Sequence, residues 1–147
     1  MEILNIVPGE SIGTVKIGMT QTQAEAAMMS YDGLNISYDE DHKVDFIEIG
    51  YGANDQFKCV YGDFDLFNTK ASELVSMIDQ ISPYDRNEPE IGYTYKYPKI
   101  GLSLWRSTIL TEEDLQEDWF KELSADIQED EMKHLYFEAV AVYKPSK

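Results

Sequence analysis

The first residues with the types and spacing to do chemistry are Gly13-Thr14-Val15-Lys16-Ile17-Gly18-Met19-Thr20, whose glycines are spaced as in a phosphate-binding loop. That chemistry needs a lysine directly after the second glycine, and Met19 stands there instead. The segment reads as a strand end with a glycine turn leading into a capped helix. Asp39-Glu40-Asp41 and Asp63-Phe64-Asp65 invite a calcium loop of the EF-hand kind. A loop starting at Asp39 puts Val44 and Gly50 where glycine and glutamate are required, and one starting at Asp63 puts Asn68 and Leu74 there. Both runs read as solvated carboxylates. Cys59, His42 and His134 match no zinc spacing, and they make a thiol–imidazole nucleophile only if the fold gathers them. Carboxylate pairs for glycoside hydrolysis carry no information in a chain with 28 acids. The expectation is no catalytic residue, no metal and no cofactor.

Charge is the stronger signal. The 147 residues hold 12 Lys+Arg against 28 Asp+Glu, a formal net charge of −16, while 43% of the residues are hydrophobic. That apolar share builds a core, so the acidity does not mark a disordered tail. A surface of this sign repels phosphates, which argues against a nucleic-acid partner. No run approaches the roughly 18 apolar residues of a membrane span, so no membrane role is expected. Met1–Glu10 carries no lysine or arginine and does not read as a secretory signal. A lone cysteine suits a reducing, cytoplasmic setting.

The elements that must position these groups follow from pattern, and the chain reads as a single domain over 1–147. Thr14–Gly18 reads as a short strand. Thr20 and Gln23 form a capping box, with Met19 and Ala24 placed as a hydrophobic staple, for a helix running to about Met29. Asn35–Tyr38 and Val44–Tyr51 form a hairpin around Asp39–His42, the second strand being an inner one. Phe57–Phe67 reads as a strand, and Asn68 and Thr69 offer caps to a helix at Ala71–Ile81 with Leu74, Met77, Ile78 and Ile81 at helical spacing. Ser82–Gly92 is a loop, and Tyr93–Tyr97 pairs with Ile100–Ser107. Thr111 caps a third helix, its buried stripe Leu115, Trp119, Phe120 and Leu123. Leu135–Tyr143 closes the chain as a central strand. The predicted fold class is α+β: an antiparallel sheet built from hairpins, with two or three helices mainly on one face and a helix–strand–strand unit that occurs twice.

Two clusters on this scaffold could bind. Glu113, Glu117 and Asp118 head an acidic belt running to Glu131, and Asp39, Glu40 and Asp41 form an acidic turn. Tyr93, Tyr95 and Tyr97 project to one side of a hairpin, and such a row serves either a core or an interface. In size, lone cysteine, charge and alternation of helices with hairpins, the chain resembles the small acidic immunity proteins of bacterial toxin–immunity systems. Gly13–Gly50, with its Ile17-Gly18-Met19-Thr20 helix entry and hairpin, is similar to the tandem helix–strand–strand repeats of beta-lactamase-inhibitor-like proteins. The resemblances imply a binding or inhibitor role without chemistry, and neither carries functional residues onto positions here.

The leading expectation is a non-enzymatic protein that neutralises a basic protein partner, a nuclease-type toxin, through these carboxylates. The alternative is a small-ligand module with an apolar cavity between helix and sheet, lined by Met28, Met29, Tyr95, Trp105 and Phe137. Oligomeric state is left open.

Overall fold

The computed structural model describes residues 2–28 and 33–146. In chain order the elements are β1 (Glu2–Val7), β2 (Ser11–Ile12), β3 (Val15–Lys16), α1 (Gln21–Met28), β4 (Leu34–Tyr38), β5 (Val44–Gly50), β6 (Phe57–Tyr61) and β7 (Phe64–Asp65). There follow α2 (Ala71–Asp79), β8 (Thr94–Tyr97), β9 (Leu102–Trp105), α3 (Asp118–Lys121), α4 (Ala125–Glu131) and β10 (Ala139–Tyr143). The architecture is α+β, and the strands divide into two five-stranded sheets, ordered β3-β2-β1-β6-β7 and β4-β5-β10-β9-β8. Helix followed by hairpin occurs twice, as α1-β4-β5 and α2-β8-β9, and the two hairpins flank β10.

Local chemistry sets the first half. Gln23 N donates to Thr20 Oγ1 at 3.2 Å and Thr20 N donates to Gln23 Oε1 at 3.0 Å, so the capping box forms and α1 starts where the sequence places it. Met19 and Ala24 both pack on the core, while Met29 lies outside the described residues. The β4–β5 turn is closed by the Asp39 carboxylate, which accepts from the amides of Asp41 and Lys43. A register shift between Ser37 and Tyr38 leaves Asp45 as the extra residue of a bulge in β5. The bulge reverses the face of Val44, which is buried with Ile47 and Ile49 rather than opposite them.

Four local expectations change. β1 emerges from Met1–Glu10, burying Leu4 and Ile6, because β6 supplies a parallel partner from Glu2↔Phe57 to Asn5↔Val60. Phe57–Phe67 folds back at Gly62 as the β6–β7 hairpin instead of running on as one strand. Asn68 and Thr69 do not cap α2. The Asn68 amide is taken by Asp65 and Asn54, and the Thr69 hydroxyl donates to the Asp65 carbonyl, leaving Lys70 as a cap without a side-chain bond. Of the expected stripe, Leu74 and Ile78 are buried but Ile81 is exposed, since the helix ends at Asp79.

The second sheet is organised in rows. Tyr95–Leu104–Val140–Ile49–Leu34 and Tyr97–Leu102–Val142–Ile47–Ile36 cross its inner face. One hydrophobic cluster joins these rows to Leu4, Ile6 and Cys59 of the first sheet and to Leu74 and Ile78 of α2. β10 is the central strand, as its β-branched and aromatic run predicts. The opposite rows, Thr94–Trp105–Ala139–Gly50 and Lys96–Ser103–Ala141–Glu48–Asn35, face outward.

Gly101 joins the hairpin β8–β9 to both termini. It sits at φ +74°, and a Cβ there would meet the Tyr143 carbonyl oxygen at 2.0 Å and Gly9 Cα at 2.9 Å. Gly62 has a positive φ too, but open space beside it. Gly101→Ala is therefore expected to cost about 3 kcal/mol or more in urea unfolding, against about 1 kcal/mol for Gly62→Ala, where only the backbone conformation is penalised. Equal costs would contradict the close approach at Gly101.

Candidate functional site

β9 and β10 are adjacent and antiparallel, a pair that a short turn can join, yet residues 106–138 lie between them. This insert carries eleven carboxylates against Arg106, Lys121 and Lys133, a net −8, half of the formal −16 of the chain. Its neck is tied at both ends. Glu138 receives hydrogen bonds from the backbone amide and the hydroxyl of Ser107, while its own amide donates to the Trp105 carbonyl at 2.8 Å.

Arg106, only 5% exposed, fixes the insert to the sheet. Its Nε donates to the Gly92 carbonyl at 3.0 Å, and its Nη1 donates to the carbonyls of Leu110 at 3.2 Å and His134 at 3.0 Å. The guanidinium carbon lies 5.7 Å from the centre of the Phe137 ring. Burial pulls the Arg106 pKa down from its ordinary value, opposed by Tyr95, Glu112 and Asp114. Arginine stays charged under such a shift, so three backbone carbonyls solvate a cation that has no carboxylate in contact among the described residues.

Within the insert the expected long helix breaks into pieces. Thr111 Oγ1 accepts from the Asp114 amide and the Asp114 carboxylate accepts from the Thr111 amide, so the expected cap forms. It closes only a 3-10 turn at Asp114–Gln116, because Glu117 is extended (φ −75°, ψ 148°) and α3 restarts at Asp118. Like charges at Glu113 and Glu117 oppose a continuous helix there. Ser124 then caps α4, and Gln128 Nε2 donates to the carbonyls of Phe120, Lys121 and Leu123 at the end of α3. The expected buried stripe is corrected accordingly: Phe120 is buried, Leu115 and Leu123 are partly buried, and Trp119 is 50% exposed. Ile127 and Met132 are exposed as well.

The sequence-derived candidates separate. Glu113, Glu117 and Asp118 are all exposed on the insert. Asp39, Glu40 and Asp41 are exposed at the tip of the β4–β5 hairpin, beyond the Tyr38↔Val44 pair. The insert leaves the sheet at the other end, beside Gly50 and Ala139, so the length of β5, about 20 Å, divides the two acidic groups. They do not form one patch.

The tyrosine row also divides. Tyr97 is 0% exposed, with its hydroxyl donating to the Val75 carbonyl, and Tyr95 packs edge-on against Tyr84 and Phe137. Both are core contacts of the inner rows and are withdrawn as interface residues. Tyr93 precedes β8 and stays exposed, its carbonyl accepting from the Arg106 amide. Trp105 points outward, opposite to Tyr95 and Phe137, so the residues expected to line an apolar cavity do not converge. Arg106 and Glu138, which root the insert, had no signal in sequence: a single arginine after an apolar strand reads as solvated.

The groups considered for catalysis lie on separate elements: Cys59 on β6, His42 in the β4–β5 turn and His134 in a 3-10 turn before β10. Among the described residues no group of three or more His, Cys, Asp or Glu could hold a metal ion, and no helix is long and apolar enough to cross a membrane. No protein-family model, curated protein or solved structure matches the chain.

Two outcomes test this arrangement. Arg106→Met is expected to lower unfolding free energy by about 2–4 kcal/mol, since three buried carbonyls lose a charged donor. Amide exchange should then quicken in residues 107–137 more than in β1 and β6, and a uniform increase would refute the local role. Burial, reinforced by Asp65, pushes the Cys59 thiol up to about 11. At pH 8 roughly one molecule in a thousand would carry the thiolate, so a maleimide should label the denatured chain readily and the native chain hardly at all. Fast native labelling would show that Cys59 is accessible.

Proposed function

We propose that this protein is a non-enzymatic binding protein that sequesters a basic protein partner, with residues 106–138 as the docking element. The observation that carries the reading is the concentration of half the net charge on one insert, rooted at one end of a rigid sheet, with Trp119, Ile127 and Met132 exposed among the carboxylates. A fixed negative field speeds encounter with a cationic surface, and an exposed tryptophan supplies the apolar anchor on which tight interfaces depend. Tyr93 and Ile109, exposed beside the root of the insert, extend that apolar surface. Glu113, Glu117 and Asp118 supply its charge. The Asp39–Asp41 turn, at the far end of the sheet, would meet only a partner large enough to span it.

The partner class that suits this surface best is a nuclease-type toxin. Such enzymes are basic because their substrate is anionic, and an acidic inhibitor competes for that same surface. The protein would then act as an immunity protein in the cytoplasm of a bacterium, without cofactor or metal. The identical field disfavours nucleic acid as a direct ligand.

Co-purification from native lysate, followed by association kinetics with the recovered basic protein, tests the reading. Between about 50 and 200 mM salt the association rate should fall at least tenfold. The double reversal Glu117→Lys/Asp118→Lys should slow association by a similar factor, while Trp119→Ala should chiefly speed dissociation. A salt-insensitive rate, or an unchanged rate in the double reversal, would overturn the proposal.

A further inference from the structure

A cleft of about 250 Å³ lies between the start of α2 and the root of the insert, its wall apolar at Val75, Leu110 and Leu135 and polar at Ser72, Tyr95 and Thr111. Two opposite charges line it, Arg106 and Glu112, and they do not pair. Among the described residues the ion pairs are Arg86–Asp79, Lys96–Glu88 and Lys133–Asp130. Each cleft charge is instead held by a separate tether. Arg106 spends Nε and Nη1 on three carbonyls, and Glu112 accepts from the Ser72 hydroxyl at 2.9 Å. Nη2 of Arg106 makes no hydrogen bond among the described residues and is not one of their buried unpaired atoms, so this edge of the guanidinium keeps access to solvent. A guanidinium edge with unused donors and a fixed carboxylate thus share one small cavity whose wall is part polar and part apolar.

We propose that this cleft is a binding site for a free α-amino acid with an apolar side chain, its carboxylate on Arg106 Nη2 and its ammonium on Glu112. A simple anion would meet Glu112 and the −16 field of the chain, and a simple cation would meet a buried guanidinium. A zwitterion satisfies both groups and carries no net charge into that field. The volume lies below the roughly 300–1,000 Å³ of drug-sized sites, which limits the ligand to this size class. A carboxylate on Nη2 also makes a charge-assisted hydrogen bond to a donor already held in place by the rest of its guanidinium. The inference is independent of the protein partner, since it uses the inward side of the root and not the exposed carboxylates.

The test is calorimetric titration of the full chain with L-alanine, L-valine and L-leucine, and with isovalerate and isobutylamine, which are valine lacking the ammonium or the carboxylate. At least one amino acid should bind saturably below about 10 mM, and the two single-charge analogues should bind at least tenfold more weakly than valine. Glu112→Gln keeps an acceptor for Ser72, and circular dichroism should show it folded. It should abolish the preference for valine over isovalerate. No saturation by any of the three amino acids, equal binding of isovalerate, or a preference that survives Glu112→Gln would each overturn the proposal.

Discussion

A cation buried without a counter-ion draws its solvation from the backbone, and that constraint organises one end of this molecule. Arg106 draws together Gly92 at the end of the long loop, Leu110 at the start of the insert and His134 near its close. Removing a guanidinium from water costs several kcal/mol, which only well-aimed acceptors offset. Carbonyls are aimed by the chain, so the three segments keep their relative positions as long as the arginine is inside. A carboxylate in contact would have weakened that coupling by taking over the donors. In a chain with 28 acids, the absence of such a contact among the described residues is itself a feature of the packing.

The insert also depends on the strand that follows it. β10 lies at the centre of its sheet, with β5 on one side and β9 on the other, so the sheet is incomplete without it. Its neighbours come from distant parts of the sequence, and the insert is carried on the connection from β9. Glu138 then closes the neck through Ser107, which converts a long connection into a loop with fixed ends. The position of the carboxylates at the outer end is inherited from the neck.

Legibility divided along the range of the interactions. The Thr20–Gln23 box, the Asp39 turn, the Thr111–Asp114 cap and the central character of β10 were readable because each rests on neighbours in sequence or on strong intrinsic preference. β1 was not, because its partner β6 lies far along the chain and a short apolar run alone does not declare a strand. The α2 caps failed because Asp65 and Asn54 compete for Asn68, and Asn54 sits in a different turn. The continuous third helix failed because its acids repel along the axis and Gln128 stabilises a break at α3 that no helical period records.

The same division runs through the candidate site. Composition and spacing were enough to establish the excess of acid, the β4–β5 and β8–β9 hairpins and the Thr20–Gln23 cap, since net charge and local hydrogen bonding do not depend on what packs against them. Face, depth and neighbourhood were decided by long-range register. The β8–β9 pairing sent Tyr95 and Tyr97 inward and Trp105 outward, and β5 set the two acidic groups at opposite ends of a sheet. Burial of Arg106 belongs to that second class, because whether a charge lies in water or among carbonyls is a property of the assembled layers and not of its place in the chain.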